Sequence, residues 1–444
     1  MPSPNLHNLD VGVWGYGREG RAAFDYLTPR ARTITVVDER NVPLVSGSVP
    51  VRYVGTDPAA FLDCDIVFVS PGVPMTNSYI QTLMRHSVAL TSGTAWWMKQ
   101  NFAQTIGVTG TKGKSTTAAI IQHLLSRSID RRCILMGNVG QPLLTVPDPL
   151  STVVAELSSY QCALLTKSPR VAVITNLFEE HISWHGSVAQ YWSDKAKIFT
   201  MGAEHLICDL PTLQQLHKLD IVIGAETKVH IIDNDSDTAN TPHEVVTIEI
   251  PKLPAHLQIP HNLQNVKCAV IAAAVANPQI FETFRPADLL ASFTPLDHRL
   301  ERVAVSNNTV WIEDCLSTTP ESVVAAAESV MGNGTTVLII GGLDRGISYQ
   351  KLNSYLCSRA AEVRVIAIPS NGTQATQGFA DCCPERRHEA NGLAQAVELA
   401  GQLLNESGGT VILSPGAPSF DYYRDYTDKA QHYRQEVEQW IAKQ

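Results

Sequence analysis

The 444-residue chain has no hydrophobic run long enough and apolar enough to span a bilayer, so no membrane role is expected. It also lacks basic surplus. With 34 Lys and Arg against 43 Asp and Glu, the formal net charge is −9. A nucleic-acid partner would need a basic face, so that class is not expected. Met1 to Asp10 is polar and has no apolar core of a secretory leader, which points to a cytoplasmic location. The nine cysteines are scattered, odd in number and without metal-ligand spacing, so reduced thiols are expected. Charged residues make up only 17% and hydrophobic ones 44%, the composition of a well-packed globular protein. The chain is too long for one core, and two or three domains are expected. No internal repeat or low-complexity segment stands out.

What is present is organised around Gly107-Val108-Thr109-Gly110-Thr111-Lys112-Gly113-Lys114-Ser115-Thr116-Thr117. Thr105-Ile106 reads as the end of a strand, and Thr117 to Leu125 as a helix. Glycines let the backbone turn tightly and approach an anion, while N–H groups at a helix start favour negative charge. Lys114 adds a cation, and Ser115 offers a hydroxyl to magnesium. The stretch reads as a phosphate-binding loop, shorter than the usual pattern because Val108 stands where its first glycine is expected. A plain Gly-rich turn is the bland alternative.

Before the loop, Val11 to Trp14 and Thr33 to Val37 read as strands around the turn Gly15-Tyr16-Gly17-Arg18-Glu19-Gly20, with Asp38 about twenty residues on. Alone, that pattern suggests a dinucleotide site, but any strand-to-helix turn of this kind uses glycines. A third strand is expected at Asp65 to Val69, and helices at Asn77 to Arg85 and Gly93 to Lys99. After the loop, strands at Thr152 to Ala155 and Val171 to Thr175 end in polar residues. Glu156, Asn176, Glu180 and His181 are thereby placed to meet phosphates, since ligands of parallel sheets gather at the carboxyl ends of strands. Ala189 to Phe199 reads as a helix, Glu244 to Ile250 as a strand, and Asn262 to Ala276 as a helix that Asn262 can cap. From Phe293 onward, strands at 309–313, 336–340, 363–368 and 410–413 alternate with helices at 320–330, 349–356, 393–404 and 430–442. The expected fold is α/β, with three domains, each a doubly wound, mostly parallel sheet: 1–101, 102–294 and 295–444.

In chain order, the glycine turn, the phosphate loop, Asn176 to His181, His261-Asn262-Leu263-Gln264-Asn265 and Leu296-Asp297-His298-Arg299-Leu300-Glu301 together resemble the Mur ligase family. The resemblance covers nearly the whole chain. Glu156 to Gln161, Gly341 to Gly346 and Leu413 to Phe420 are similar to the branch that adds glutamate to UDP-N-acetylmuramoyl-L-alanine in peptidoglycan precursor synthesis.

That resemblance implies an ATP-dependent amide ligase working through an acyl phosphate. D-glutamate is the default amino acid and L-glutamate the alternative. Lys114 and the amides of Gly110, Thr111, Lys112, Gly113, Ser115 and Thr116 would hold the phosphates. Ser115, Glu156, His181 and Lys195 would serve two magnesium ions, with Lys114, His181 and Lys195 catalytic. Lys195 would carry a carbamate, formed when a desolvated amine takes up carbon dioxide. A solvated helix lysine like Lys197 is the alternative. Asn262 and Asn265 would meet adenine, Arg299 would reach ATP, and Asp314 would lie near the ribose. By the same resemblance the glycine turn, with Gly17, serves the UDP part of the substrate. Asp38, Glu39 and Arg40 would hold the uracil, Ser70, Gly72 and Val73 the diphosphate, and Asn138 the muramyl part.

Thr318, Arg345, Ser419 and Phe420 would meet the amino acid. Here the chain departs from the family pattern. Asp314-Cys315-Leu316-Ser317-Thr318-Thr319-Pro320 has Leu316 in place of a lysine, and its Ser-Thr-Thr-Pro is similar to a branch that uses L-glutamate. Arg345 stands where lysine is commoner and can clamp a carboxylate. A monomer is expected. Alternatives are a relative acting on another carboxylate, a non-catalytic nucleotide-binding subunit, or, on the glycine turn alone, an NAD-dependent oxidoreductase.

Overall fold

The computed structural model describes residues 6–38, 49–128, 132–146, 151–178, 182–258, 260–294, 298–332, 334–344, 348–405, 407–419 and 422–444. The chain divides into two compact units, Met1–Phe293 and Thr294–Gln444.

The first unit holds two parallel sheets. Strands β1 (Asp10–Trp14), β2 (Thr33–Val37), β3 (Val51–Tyr53), β4 (Ile66–Val69) and β5 (Ala89–Thr91) form the first, in the order β3-β2-β1-β4-β5. The order reverses between β1 and β4, which opens a crevice at their carboxyl ends. The glycine turn follows β1, and Ser70 to Val73 follows β4. Both therefore border that crevice.

Strands β6 (Thr105–Thr109), β7 (Cys133–Gly137), β8 (Thr152–Glu156), β9 (Val171–Ile174), β10 (His205–Asp209) and β11 (Lys228–Ile232) form the second sheet, in the order β11-β10-β9-β6-β8-β7. The five residues of β6 are all buried, as a strand covered on both faces requires. The order reverses at β6, so the loop after it opens into the second crevice. Behind it, helix Lys114–Ser126 packs on helix Pro260–Ala276. A short hairpin of β12 (Thr238–Asn240) and β13 (Val245–Thr247) follows β11.

The second unit has one sheet: β14 (Glu301–Ser306), β15 (Thr309–Glu313), β16 (Thr335–Ile340), β17 (Val363–Ala367), β18 (Arg387–Glu389) and β19 (Gly409–Leu413), in the order β14-β15-β19-β16-β17-β18. Among the described residues of this sheet, only the β14–β15 pair is antiparallel. Asp314, Gly341 and Ser414 lie at the carboxyl ends of three adjacent strands, β15, β16 and β19.

The α/β class and the mostly parallel sheets agree with the sequence reading. Several local expectations need correction. The strand expected over 244–250 shrinks to Val245–Thr247, because Glu249 adopts φ +47° and Ile250–Lys252 forms a 3-10 turn around Pro251, which has no N–H for a ladder. The helix after the phosphate loop starts at Lys114 rather than Thr117. The helix expected from Asn262 starts at Pro260, whose fixed φ suits a first turn. Asn262 is therefore inside it, donating to the His256 carbonyl at 2.7 Å instead of capping. Reduced thiols are not the rule throughout: Cys357 and Cys382 form a disulfide, with Cα atoms 6.4 Å apart. Helices Gln350–Ser358 and Gln377–Cys382 pack together and bring the pair into reach, which linear spacing does not disclose. Among the described residues, no helix is long and apolar enough to cross a membrane.

Candidate functional site

The loop between β6 and helix Lys114–Ser126 is built from two glycines in conformations that side chains rarely adopt. Gly110 has φ +145°, and a Cβ there would lie 2.0 Å from Thr175 Oγ1. Gly113 has φ +79°, and a Cβ would lie 2.4 Å from Asn265 Oδ1. The loop thus fits closely against the ends of β9 and helix Pro260–Ala276. Asn176 braces it: its Oδ1 accepts from the amides of Thr111 (3.2 Å) and Lys112 (2.8 Å), and its Nδ2 donates to the Lys112 carbonyl at 3.1 Å. Thr111 Oγ1 donates to the Phe178 carbonyl (3.1 Å) and lies 3.2 Å from Tyr191 OH. Lys114 Nζ folds back to the Thr111 carbonyl at 2.9 Å. Lys114 opens the helix after the loop, and Ser115 and Thr116 in its first turn are half-buried.

Glu156 ends β8, next to β6 in the sheet, and is 1% exposed. Its Oε1 accepts from Asn138 Nδ2 at 3.0 Å, whereas its Oε2 is buried without a partner among the described residues. A buried, half-satisfied carboxylate beside a phosphate loop suits a divalent cation, which prefers oxygen ligands and relieves the unpaired oxygen. The residues therefore fit magnesium.

Lys195, from helix Val188–Thr200, is 2% exposed and donates to the Gly110 carbonyl. Its Nζ also sits 5.0 Å from the Tyr191 ring centroid. It is not the solvated lysine of the bland reading. Its neighbour Asp194 is also buried. Burial alone would raise this carboxyl, but hydrogen bonds from His185 (2.8 Å), Lys197 (2.9 Å) and Gln190 (3.0 Å), with the Lys197 charge, hold it below the usual range.

Around the first crevice, Asp38 accepts from the Tyr16 amide at 2.5 Å, and Ser70 Oγ donates to the Gly15 carbonyl at 2.6 Å. Both candidates therefore touch the glycine turn. The Val73 side chain belongs to the core with Trp14 and Val37, so any ligand contact there would come from its backbone. Gly72 has open space where a Cβ would stand. Asn265 donates to Asn262 Oδ1 (3.1 Å) and accepts from Thr117 Oγ1 (3.1 Å), behind Gly113.

In the second unit, Asp314 is 1% exposed. Burial pushes its pKa up to about 6, against the opposing pull of Ser317, Ser414, the Arg299 charge and the Leu300 amide. Ser414 Oγ donates to it at 2.8 Å. Ser419 is buried, and its Oγ has no hydrogen-bond partner among the described residues. Lys429 is also buried and donates to the Gly341 carbonyl at 2.7 Å. Thr318 precedes Thr319, which caps helix Pro320–Val330. Glu39, Arg40, Glu180, His181, Arg345 and Phe420 lie outside the described residues.

Sequence reasoning did not single out Arg18, Tyr191, Asp194 or Lys429. A buried lysine at 429 is invisible in a polar-looking segment. Arg18 was readable only as one of the variable places in the glycine turn.

The chain matches the family model of the Mur ligase middle domain over residues 108–273, and that of the MurD-like N-terminal domain of Mur ligases over 10–92. It is 33% identical over 460 residues to a UDP-N-acetylmuramoyl-L-alanine--L-glutamate ligase of Salinispora tropica, spanning 98% of this chain and 99% of the relative. An enzyme of the same name from Xanthomonas euvesicatoria is 32% identical over 469 residues, with 98% and 96% covered. Among solved structures, MurF ligase from Thermotoga maritima in complex with ADP superposes with TM-score 0.57 at 13% identity, covering 98% of this chain and 95% of that one. UDP-N-acetylmuramate-alanine ligase MurC from the same organism gives 0.57 at 18%, with 98% and 100% covered. These structures share the fold. With near-complete coverage by relatives a third identical and both family models falling on the two sheets of the first unit, the chain belongs to the Mur ligase family.

Proposed function

We propose that this protein is an ATP-dependent ligase that joins L-glutamate to UDP-N-acetylmuramoyl-L-alanine in peptidoglycan precursor synthesis. The observation that carries the chemistry is the phosphate loop with the buried, half-satisfied Glu156 beside it. The substrates are supported by the names of the relatives that cover the chain. The Ser-Thr-Thr-Pro run at 317–320 supports the L isomer over D.

Making an amide from a carboxylate requires a leaving group, which phosphorylation of that carboxylate provides; catalysis is then mostly positioning and charge neutralisation. In this reading the first turn of helix Lys114–Ser126 and the Lys114 ammonium hold the phosphates. Ser115 and Glu156 would hold magnesium, which when bound screens the phosphate charge. His181 and a carbamate on Lys195 would serve a second ion. The carbamate would form when the Lys195 nitrogen, as the neutral amine, bonds to carbon dioxide with loss of a proton to solvent. Asn262, Asn265, Arg299 and Asp314 are assigned to the nucleotide. Gly17, Asp38, Glu39, Arg40, Ser70, Gly72, Val73 and Asn138 are assigned to the UDP-muramyl substrate, and Thr318, Arg345, Ser419 and Phe420 to glutamate. Division into domains at 1–101, 102–294 and 295–444, a monomeric state and a cytoplasmic location belong to the same reading.

Phosphate release should require magnesium, ATP, the UDP-muramyl substrate and glutamate together, and should fall at least about a hundredfold in Lys114→Ala. Release indifferent to the UDP substrate and glutamate would refute the reading. A carbamate on Lys195 predicts a carbonyl resonance after incubation with ¹³C-bicarbonate that is absent in Lys195→Arg; no such signal in the wild type would remove it.

A further inference from the structure

The glycine turn of the first sheet reaches across to the carboxylate at the end of β8. Arg18 Nη1 donates to the Gly140 carbonyl at 3.1 Å, and Nη2 donates to the carbonyls of Asn138 (2.8 Å) and Gly137 (3.3 Å). One planar guanidinium thus clamps the turn after β7, as its fixed fork of donors allows. That turn in turn grips Glu156. The Asn138 amide donates to the Glu156 carbonyl at 2.8 Å, and Asn138 Nδ2 donates to Glu156 Oε1 at 3.0 Å. Gly137, at φ +106°, lets the chains approach so closely that a Cβ would stand 2.4 Å from the Glu156 carbonyl oxygen.

The next residue of the turn makes a second tie. Glu19 Oε1 accepts from Gln161 Nε2 at 3.0 Å, and Gln161 sits in helix Ser159–Cys162, which follows β8. At the other end, the Tyr16 amide holds Asp38. Hydrogen bonds thus tie the turn to Asp38 on one side and, through Arg18, to Asn138 and Glu156 on the other.

We propose that Arg18 is a positioning residue for the metal-binding carboxylate: by clamping Gly137 to Gly140 it holds the Asn138 amide on one oxygen of Glu156 and so aims the other at the cation. The proposal rests on the reading of Glu156 as a magnesium ligand. Arg18 touches neither phosphate nor ion in this role. It acts as residues behind metal ligands do, and loss of such a residue typically weakens metal affinity by about 10- to 100-fold.

The test uses the full-length protein with Mn²⁺ and ADP as probes, by electron paramagnetic resonance or calorimetry. Arg18→Ala should weaken Mn²⁺ binding in the presence of ADP by about tenfold, and its lowered kcat should rise when magnesium is increased. Arg18→Lys, which keeps the charge but not the fork, should recover only part of the affinity. Glu156→Gln separates the two levels of inference. If Glu156→Gln binds Mn²⁺ like the wild type, or the wild type binds none, the reading of Glu156 fails and takes the proposal with it. If Glu156→Gln loses the ion while Arg18→Ala keeps it, the proposal alone is overturned. A rise confined to the KM for the UDP substrate, with Mn²⁺ affinity unchanged, would likewise overturn it, because Arg18 would then serve that substrate directly. Should Arg18→Ala not fold, Arg18→Lys and Asn138→Ala carry the same comparison.

Discussion

Single residues in this protein are set by burial as much as by their neighbours. Asp314 is the clearest case. Its pKa is pushed from the ordinary 3.8 to about 6, chiefly by burial. Between about pH 4 and 6 the folded protein then keeps a proton that the unfolded chain has released. Stability contributed by this group is present at low pH, falls as pH rises through that window, and is flat above it. The shift corresponds to about 3 kcal/mol. Asp314→Asn should therefore gain on the wild type by about 2 kcal/mol of that between pH 4.5 and 7.5, the rest of the change lying at lower pH, read from urea melts at each pH. A constant difference between the two proteins would show that Asp314 is not neutral when buried. Such a perturbation could not be read from the sequence, where Asp314 is simply an acid after a strand. Glu156 was legible, because its place at a strand end already directs it to the crevice. Its Oε2, partnerless among the described residues, was not, since that depends on what Asn138 reaches from the turn after β7.

At the scale of the element, the unit that matters is strand, loop and helix at 105–126. Its form was legible because the backbone demands it: Gly113 must take φ +79°, and the helix that starts beside it brings its N–H groups with it. What closes behind the loop was less legible. The family resemblance assigns Asn265 to adenine; the structure also packs its amide against Gly113 and Thr117, which the sequence does not disclose. Gly113→Ala should consequently suffer twice. The left-handed backbone disfavours alanine by about 1 kcal/mol, and its Cβ would force Asn265 away. ADP affinity measured by calorimetry should fall at least about tenfold, with binding of the UDP-muramyl substrate retained. Unchanged ADP affinity would mean that the loop does not hold the nucleotide. Helix Val188–Thr200 shows the opposite balance. Its place was clear from the pattern, but the burial of Lys195 against the loop and the His185–Asp194 pairing depend on how that helix sits against β6 and helix Ile182–His185.

For the whole molecule, three sheets were foreseeable from the alternation of apolar strands and amphipathic helices. Short edge strands such as β3, β5 and β18 were not, because three residues leave no period to detect. The disulfide joining two helices of the second unit escaped for the same reason that most contacts do: it joins residues 25 apart that only packing brings together. The amino-acid specificity is read on the whole protein too. Its decisive measurement is the mass of the product formed from magnesium-ATP, UDP-N-acetylmuramoyl-L-alanine and either L- or D-glutamate in separate reactions. The expected result is a product heavier by one glutamyl residue, formed with L-glutamate and accompanied by ADP and phosphate, with little or none from the D isomer. Product from D-glutamate alone, or no product from either, would contradict the assignment.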